Sequence, residues 1–193
     1  MRIGCEDGGR MSPVVFDAFA EIVARRLTGN KPFNALEVGA GGWTLLSIPA
    51  FDGGTRVALN LSFDRITDQL ARTERIIGNG NFLPFEDGSF DCVMSCSVLE
   101  HDRHFWRSTR EVHRVLRPGG YFVVGVPIYM TLPTDKEFTT LTYARHGMAY
   151  NADYYRFSEQ CVREVFFEGY QEVTDEVLVR QYPNPYLIAA GRK

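Results

Sequence analysis

Short apolar runs alternate with stretches of helical periodicity along most of this chain. The apolar runs predict strands at 35–38, 55–59, 75–77, 90–95 and 121–126. The periodic stretches predict helices at 13–28, 43–50, 64–72, 103–116 and 158–168. Strands that alternate with helices indicate βαβ units, and therefore a mostly parallel sheet with helices on both of its faces.

The end of the chain breaks this alternation. Two strand-like runs, 172–179 and 186–190, are separated only by a short segment containing Pro183-Asn184-Pro185. A parallel crossover needs about a dozen residues or more, so these two strands are predicted to form an antiparallel hairpin. The 193 residues are predicted to form a single α/β domain, with a Rossmann-like, mostly parallel sheet that ends in this hairpin.

Composition excludes several other classes of protein. The apolar fraction is 45% and the charged fraction 23%, as in globular proteins. A net charge of −3 gives no basic excess, so no nucleic-acid partner is expected. No apolar run approaches the roughly twenty residues of a membrane-spanning helix, and no signal peptide is predicted, so neither membrane insertion nor export is expected. Free cysteines then indicate the cytoplasm.

A glycine-rich turn, Gly39-Ala40-Gly41-Gly42, follows the first predicted strand directly. Such a turn lets a ligand approach the backbone closely. A dinucleotide-binding fingerprint would place a third glycine where Thr44 stands. Glu37 would repel a pyrophosphate and would suit a positively charged cofactor, such as a sulfonium. Alternatively, Glu37 caps the next helix or pairs with a nearby cation.

Four ordered motifs resemble those of the class I S-adenosylmethionine-dependent methyltransferases. LEVGAGG (36–42) is similar to their glycine motif, and LPFEDGSFDCV (83–93) to the run that leads into their fourth strand. SVLEH (97–101) resembles the segment after that strand, and VLRPGG (115–120) the turn before the fifth. The resemblance, nearest to the branch that methylates metabolites, sugars and quinones, implies a seven-stranded sheet and S-adenosylmethionine as cofactor.

The resemblance also implies which residues bind that cofactor. Glu37, Gly39 and Gly41 would line the methionine end, and Ser95, Cys96 and Ser97 would lie beside the sulfonium. The full predicted cofactor set is Glu37, Gly39, Ala40, Gly41, Asn60, Leu61, Asn79, Gly80, Phe82, Ser95 and Cys96.

Three positions depart from the family pattern. Asn60 stands where the family usually has an acid that binds both ribose hydroxyls, and Asn79 where an acid usually accepts from the adenine amino group. An amide loses the charge-assisted part of such a bond, so binding about tenfold weaker per site is expected. Trp43 replaces a frequent glycine. It would either pack on the first helix or intrude on the pocket.

Residues 128–157 are predicted to form a lid that binds the acceptor, since they follow the carboxyl end of a strand and are rich in tyrosine. Candidate catalytic residues are His101, His146 and Tyr150. Candidate acceptor-binding residues are Tyr129, Tyr154, Tyr155 and Arg156. The alternatives are that the rings only bury the loop, that His101 caps a helix and that Arg156 is a surface charge. His101 and His104 lack a third ligand nearby, so no metal site is predicted.

These expectations combine into methyl transfer from S-adenosylmethionine to a small molecule. The alternative is a methyltransferase-fold protein that has lost catalysis and acts as a binding or scaffold partner, which the two asparagines favour. A nucleotide-dependent oxidoreductase is disfavoured by Glu37 and Thr44. The sequence indicates neither the acceptor nor the oligomeric state.

Overall fold

A seven-stranded sheet organises the molecule. The computed structural model describes residues 11–29, 31–66, 72–131, 140–141, 153–179 and 185–193. The sheet strands are β1 Ala35–Val38, β2 Arg56–Asn60, β3 Thr73–Ile77, β4 Phe90–Cys96, β5 Leu116–Pro127, β8 Glu172–Val179 and β9 Tyr186–Arg192. A separate antiparallel ribbon, which was not predicted, pairs β6 Met130–Thr131 with β7 Thr140–Leu141.

The order of the sheet is β3-β2-β1-β4-β5-β9-β8. Neighbours from β3 to β5 run parallel, whereas β9 is antiparallel to both β5 and β8. The predicted sheet and its C-terminal hairpin are therefore confirmed. The hairpin reverses direction because the chain between β8 and β9 is too short for a crossover.

Helices cover both faces of the sheet. They are α1 Pro13–Arg26, α2 Phe105–Val115 and α3 Glu159–Cys161, and α3 continues as a π-helix over Val162–Phe166. Pro13 occupies a first-turn position of α1, where its missing N–H costs nothing. Ser158 caps α3, since its Oγ accepts from the Cys161 N–H at 3.0 Å. No helix among the described residues is both long and apolar enough to cross a membrane.

Alternating side chains of the strands divide the core into two layers. Cys92 and Met94 of β4 pack on the layer that contains α1, whereas Val93 between them packs on the layer of α2 and α3. This is the two-residue periodicity of a strand, expressed on a sheet that is buried on both faces. The layers hold the central strands rigidly, so their carboxyl ends form a fixed platform.

The helix predicted at 43–50 is wrong. Two 3₁₀ turns, Leu45–Ser47 and Pro49–Phe51, occupy this stretch. Pro49 has no N–H to continue a helix, and it favours an extended residue before it, which is the conformation of Ile48 (φ −61°, ψ 126°). The connection from β1 to β2 is therefore compact.

Two further expectations need correction. The helix predicted at 64–72 is represented in the described residues by a 3₁₀ turn, Phe63–Arg65, and 67–71 lie outside the described residues. The turn predicted at 117–120 lies inside β5, whose pairing with β4 shifts register between Phe90 and Cys92. Gly119 absorbs this irregularity with a φ of +78°.

Candidate active site

The candidate site lies where the strand order reverses. Strand β1 leads outward to β2 and β3 on one side, while its other neighbour, β4, leads to β5. Connections that diverge from two adjacent parallel strands leave a crevice at their carboxyl ends, which is where open α/β sheets bind ligands. The glycine turn after β1 and the Ser95-Cys96-Ser97 segment at the end of β4 meet there, because Val38 and Ser95 are register partners.

Two glycines of the turn have different physical roles. Gly39 has a φ of +84°, and its N–H donates to the Leu59 carbonyl at 2.8 Å. A Cβ on Gly39 would lie 2.1 Å from Val98 Cγ2, so this position is closed by the protein itself. A Cβ on Gly41 would meet no atom within 4 Å. The space above the turn is therefore open at Gly41.

Glu37 lies beneath the turn with only 3% of its surface exposed. Its Oε2 accepts from the Leu45 N–H at 2.9 Å and from the hydroxyl of Thr44. The alternative in which Glu37 caps the following helix therefore describes a real contact, although the capped element is a 3₁₀ turn. These bonds also fix a carboxylate below the crevice.

Asn60, at the end of β2, binds the glycine turn. Its Nδ2 donates to the Ala40 carbonyl at 2.8 Å, and its Oδ1 accepts from the Leu61 N–H at 2.7 Å. The amide thus connects two backbone segments, which a carboxylate could not do because it has no hydrogen to donate. Leu61 is 62% exposed beside it.

Asn79 shapes the turn after β3. Its Oδ1 accepts from the Asn81 N–H at 2.9 Å, and its carbonyl accepts from the Phe82 N–H at 2.9 Å. The Phe82 ring is left 70% exposed. An exposed phenylalanine and an exposed leucine on neighbouring strand ends offer apolar surface to a planar ligand.

A buried polar network supports that turn and was not predicted. Asn81 donates to Asp102 Oδ2 at 2.6 Å and contacts Ser108 Oγ at 2.8 Å, and the Ser108 hydroxyl donates to the same Asp102 oxygen at 2.6 Å. Gly80 has no room for a side chain, since its Cβ would lie 2.8 Å from Ser108 Oγ. Asn81 is 21 positions from Asp102 and 27 from Ser108, and no spacing rule connects them.

The end of β4 contains three small polar side chains. Ser95 Oγ is buried and has no hydrogen-bond partner among the described residues. Cys96 Sγ lies 3.2 Å and Ser97 Oγ 2.9 Å from the Tyr186 hydroxyl. Burial raises the pKa of the Cys96 thiol to about 12; its Tyr186 hydrogen bond opposes the rise, and the Glu100 and Glu37 carboxylates add to it. Cys96 therefore stays a neutral thiol, which is a poor nucleophile.

A cluster of charged side chains connects the segment after β4 to residues 153–157. Glu100 is 2% exposed, and its carbonyl accepts from the Tyr154 N–H at 2.8 Å. His101 Nδ1 lies 3.0 Å from Asp153 Oδ1, and Arg156 forms an ion pair with the same carboxylate. Burial raises the pKa of Glu100 to about 8, Asp153 adds to the rise, and Arg156 opposes it. Arg156, 9% exposed in its side chain, is thus a buried charge and not a surface one.

The predicted acceptor residues divide into two groups. Tyr155 donates to the Arg103 carbonyl at 2.9 Å and stacks on Phe157, so its ring buries the segment. Tyr154 and Tyr129 are 61% and 43% exposed and remain available to a ligand. His146 and Tyr150 lie outside the described residues.

The sequence left two positions open for Trp43, on the first helix or in the pocket. Trp43 stacks on Phe16 of α1, with ring centroids 5.8 Å apart and planes 9° from parallel, so it packs on the first helix. Within the described ranges, no three His, Cys, Asp or Glu side chains are grouped as metal ligands would be.

Part of the chain is similar to known methyltransferases. The family model described as "Methyltransferase domain" matches residues 36–124. An uncharacterised 37.1 kDa protein of transposon Tn4556 from Streptomyces fradiae is 32% identical over 124 residues, which are 58% of this chain and 36% of that protein. The aligned stretch is shorter still for an uncharacterised Mycolicibacterium gilvum methyltransferase, at 20% of its length. The chain thus matches about a third or less of these relatives.

Solved structures share the fold across nearly the whole chain. A Burkholderia thailandensis 1,6-didemethyltoxoflavin N1-methyltransferase, with 1,6-didemethyltoxoflavin and S-adenosylhomocysteine bound, superposes with a TM-score of 0.68 at 17% identity, covering 92% of this chain and 77% of that one. The (4+2)-cyclase SpnF gives a TM-score of 0.68 at 18% identity, covering 98% and 85%. The match and the shared fold support the resemblance: residues 36–124, a little under half of the chain, match the model of a methyltransferase domain, and the chain has the fold of S-adenosylmethionine-dependent methyltransferase structures.

Proposed function

We propose that this chain transfers a methyl group from S-adenosylmethionine to a small molecule. The observation that carries the proposal is the turn after β1, which is open above Gly41 and has the buried Glu37 carboxylate beneath it. No residue from 37 to 44 is basic. A negative, glycine-lined crevice favours a cationic cofactor over a pyrophosphate.

The residues around the crevice suit the rest of this cofactor. Leu61 and Phe82 present exposed apolar surface on neighbouring strand ends, which suits an adenine ring. The Asn60 amide nitrogen carries a second hydrogen, which would donate to a ribose hydroxyl. When bound, S-adenosylmethionine supplies an electrophilic methyl group, and the protein has to align the acceptor with it.

The acceptor is proposed to bind between the end of β4 and the lid at 128–157. Tyr129 and Tyr154 would contact it, while His101, oriented by Asp153, would accept a proton from it. The toxoflavin methyltransferase binds a small heterocycle together with S-adenosylhomocysteine, which supports a small-molecule acceptor here. A cytoplasmic location and the absence of a nucleic-acid partner stay predictions.

Calorimetric titration of the purified chain tests the proposal directly. We expect micromolar binding of S-adenosylmethionine and S-adenosylhomocysteine, and no heat from NAD, because the crevice repels a pyrophosphate. A folded chain that binds neither sulfur compound would contradict the proposal. That result would favour the alternative, a methyltransferase-fold protein that acts as a binding or scaffold partner.

A further inference from the structure

Tyr186 reaches the candidate site from a strand that the resemblance does not implicate. It is the first residue of β9 and pairs in register with Pro127, at the carboxyl end of β5. Its ring lies against Gly125, where an added Cβ would be 2.7 Å from Tyr186 Cε1 and 2.9 Å from its hydroxyl oxygen. Only a glycine at position 125 therefore lets the ring cross β5.

The crossing delivers the Tyr186 hydroxyl to the end of β4. The hydroxyl lies 2.9 Å from Ser97 Oγ and 3.2 Å from Cys96 Sγ. Ser97 has a φ of +53°, which a residue other than glycine adopts only where its surroundings hold it. Ser97 is exposed, so this hydroxyl pair faces outward from the sheet and not into the core.

Acidic side chains lie near this pair. Burial raises the pKa of both Cys96 and Tyr186; Glu100 adds to both rises and Glu37 to that of Cys96, so both acids lie close by. Glu100, whose own pKa is raised to about 8 by burial, is largely protonated near neutral pH. Two basic side chains in the described ranges, His101 and Arg156, contact Asp153. Each also faces Glu100: His101 Nε2 lies 4.0 Å from Glu100 Oε1, and Arg156 opposes the rise in the pKa of Glu100 that burial causes. Burial raises the pKa of Tyr186 well above its usual value, and the phenol stays neutral with its oxygen lone pairs intact.

We propose that the Tyr186 and Ser97 hydroxyls recognise the positive sulfonium of the cofactor, so that Tyr186 sets a preference for S-adenosylmethionine over S-adenosylhomocysteine. This inference rests on the proposed function. The two compounds differ by one methyl group and its positive charge. Oxygen dipoles stabilise the cation and gain little from the neutral thioether. Loss of the Tyr186 hydroxyl should therefore weaken the binding of S-adenosylmethionine and leave the binding of S-adenosylhomocysteine nearly unchanged.

The test is the ratio of two dissociation constants in Tyr186→Phe, measured by calorimetry with S-adenosylmethionine and S-adenosylhomocysteine. The ring is retained, so Gly125 and β5 keep their packing. We expect binding of S-adenosylmethionine to weaken by about five- to tenfold, the size of the net contribution of one ordinary hydrogen bond. Binding of S-adenosylhomocysteine should change by less than about twofold.

Tyr170→Phe is the matched control. It removes a buried hydroxyl that has no hydrogen-bond partner among the described residues and that belongs to the packing around His113 and Phe167. Both affinities should stay at their wild-type values in this variant. If Tyr186 had a purely structural role, Tyr186→Phe would instead weaken the binding of both ligands equally.

Ser97→Ala provides a second, independent variant. The two hydroxyls are proposed to act as a pair, so Ser97→Ala should also weaken the binding of S-adenosylmethionine relative to that of S-adenosylhomocysteine. In the double variant, the affinity for S-adenosylmethionine should fall by less than the product of the two single losses. An unchanged ratio in Tyr186→Phe, or equal loss of both ligands, overturns this inference and leaves the proposed function standing. Wild-type protein that is folded and binds neither compound overturns both.

Discussion

Gly39 and Gly41 of the glycine turn differ in how much space surrounds them, and therefore in what a substitution at each would disturb. Gly39 combines a positive φ with a neighbour, Val98, that already fills its side-chain position. Any substitution there disturbs the turn and the segment after β4 together. Gly41 faces open space and has no positive φ. It is therefore the residue at which a side chain can block the crevice and leave the fold intact.

We predict that Gly41→Leu retains the wild-type melting temperature to within a few degrees and weakens S-adenosylmethionine binding by more than about tenfold. The leucine Cβ would meet no atom within 4 Å, so the side chain would extend into the volume above the turn. Thermal denaturation and calorimetry on the same sample separate the two effects. Gly39→Ala is the comparison, and it should lose several degrees of stability. If Gly41→Leu bound S-adenosylmethionine as tightly as the wild-type protein, the cofactor would not bind above Gly41.

At the scale of elements, the strand ends are connected to one another by amides. Asn60 joins the end of β2 to the glycine turn, and Asn81 joins the turn after β3 to the start of α2. Seen from sequence alone, Asn60 is a weakened ribose ligand that Asp would improve. The structure adds a second role, because the amide nitrogen donates to the Ala40 carbonyl.

We predict that Asn60→Asp lowers stability by about 1–2 kcal/mol, because a carboxylate cannot donate to Ala40 and would be repelled by its carbonyl. We also expect it to weaken S-adenosylmethionine binding, since the turn would shift. Urea denaturation and calorimetry measure the two effects. Asn60→Ala is the matched variant: it loses the same bond without the repulsion and should be the more stable of the two. Tighter binding of S-adenosylmethionine by Asn60→Asp would show that contact with the ribose outweighs the hydrogen bond to Ala40 at this position.

For the whole molecule, buried charge couples the segment after β4 to residues 153–157. The carboxyl of Glu100 faces Asp153, Arg156 and the Ser97 hydroxyl. Its pKa is about 8 in the folded protein and near 4.5 when unfolded. The folded state therefore binds the extra proton between these values, so stability is greatest below about pH 4.5 for this group and falls as pH rises toward 8.

We predict that wild-type protein loses about 2–4 kcal/mol of stability relative to Glu100→Gln between pH 5 and pH 8, since each unit of pKa shift is worth about 1.4 kcal/mol. The glutamine imitates the protonated acid and carries no titration. Urea denaturation at several pH values gives the difference. Glu86→Gln, at an exposed position of a turn, is the control and should show no such trend. If the difference in stability between the wild-type protein and Glu100→Gln did not change with pH, the raised pKa of Glu100 would be refuted.

The sequence by itself predicted the architecture, which the structure confirms, and a candidate location for the site. Residue alternation and periodicity predicted β1, β4, α1, α2 and the terminal hairpin because each depends on local pattern and on the length of a connection. The motif LEVGAGG located the crevice because glycine and an acid at fixed spacing have a local physical meaning. The helix predicted at 43–50 is wrong because Pro49 interrupts the stretch, which forms two 3₁₀ turns instead.

Only the tertiary structure decided which side chains meet. Tyr186 contacts Ser97 across 89 residues, and Asn81 contacts Asp102 and Ser108 across 21 and 27. Such contacts depend on strand order and on the gap that Gly125 leaves, and neither leaves a periodic trace in the sequence. The same holds for Asn60 and Arg156, whose roles follow from the partner that folding brings to each. Local pattern specifies the elements, and the packing of distant elements specifies the chemistry between them.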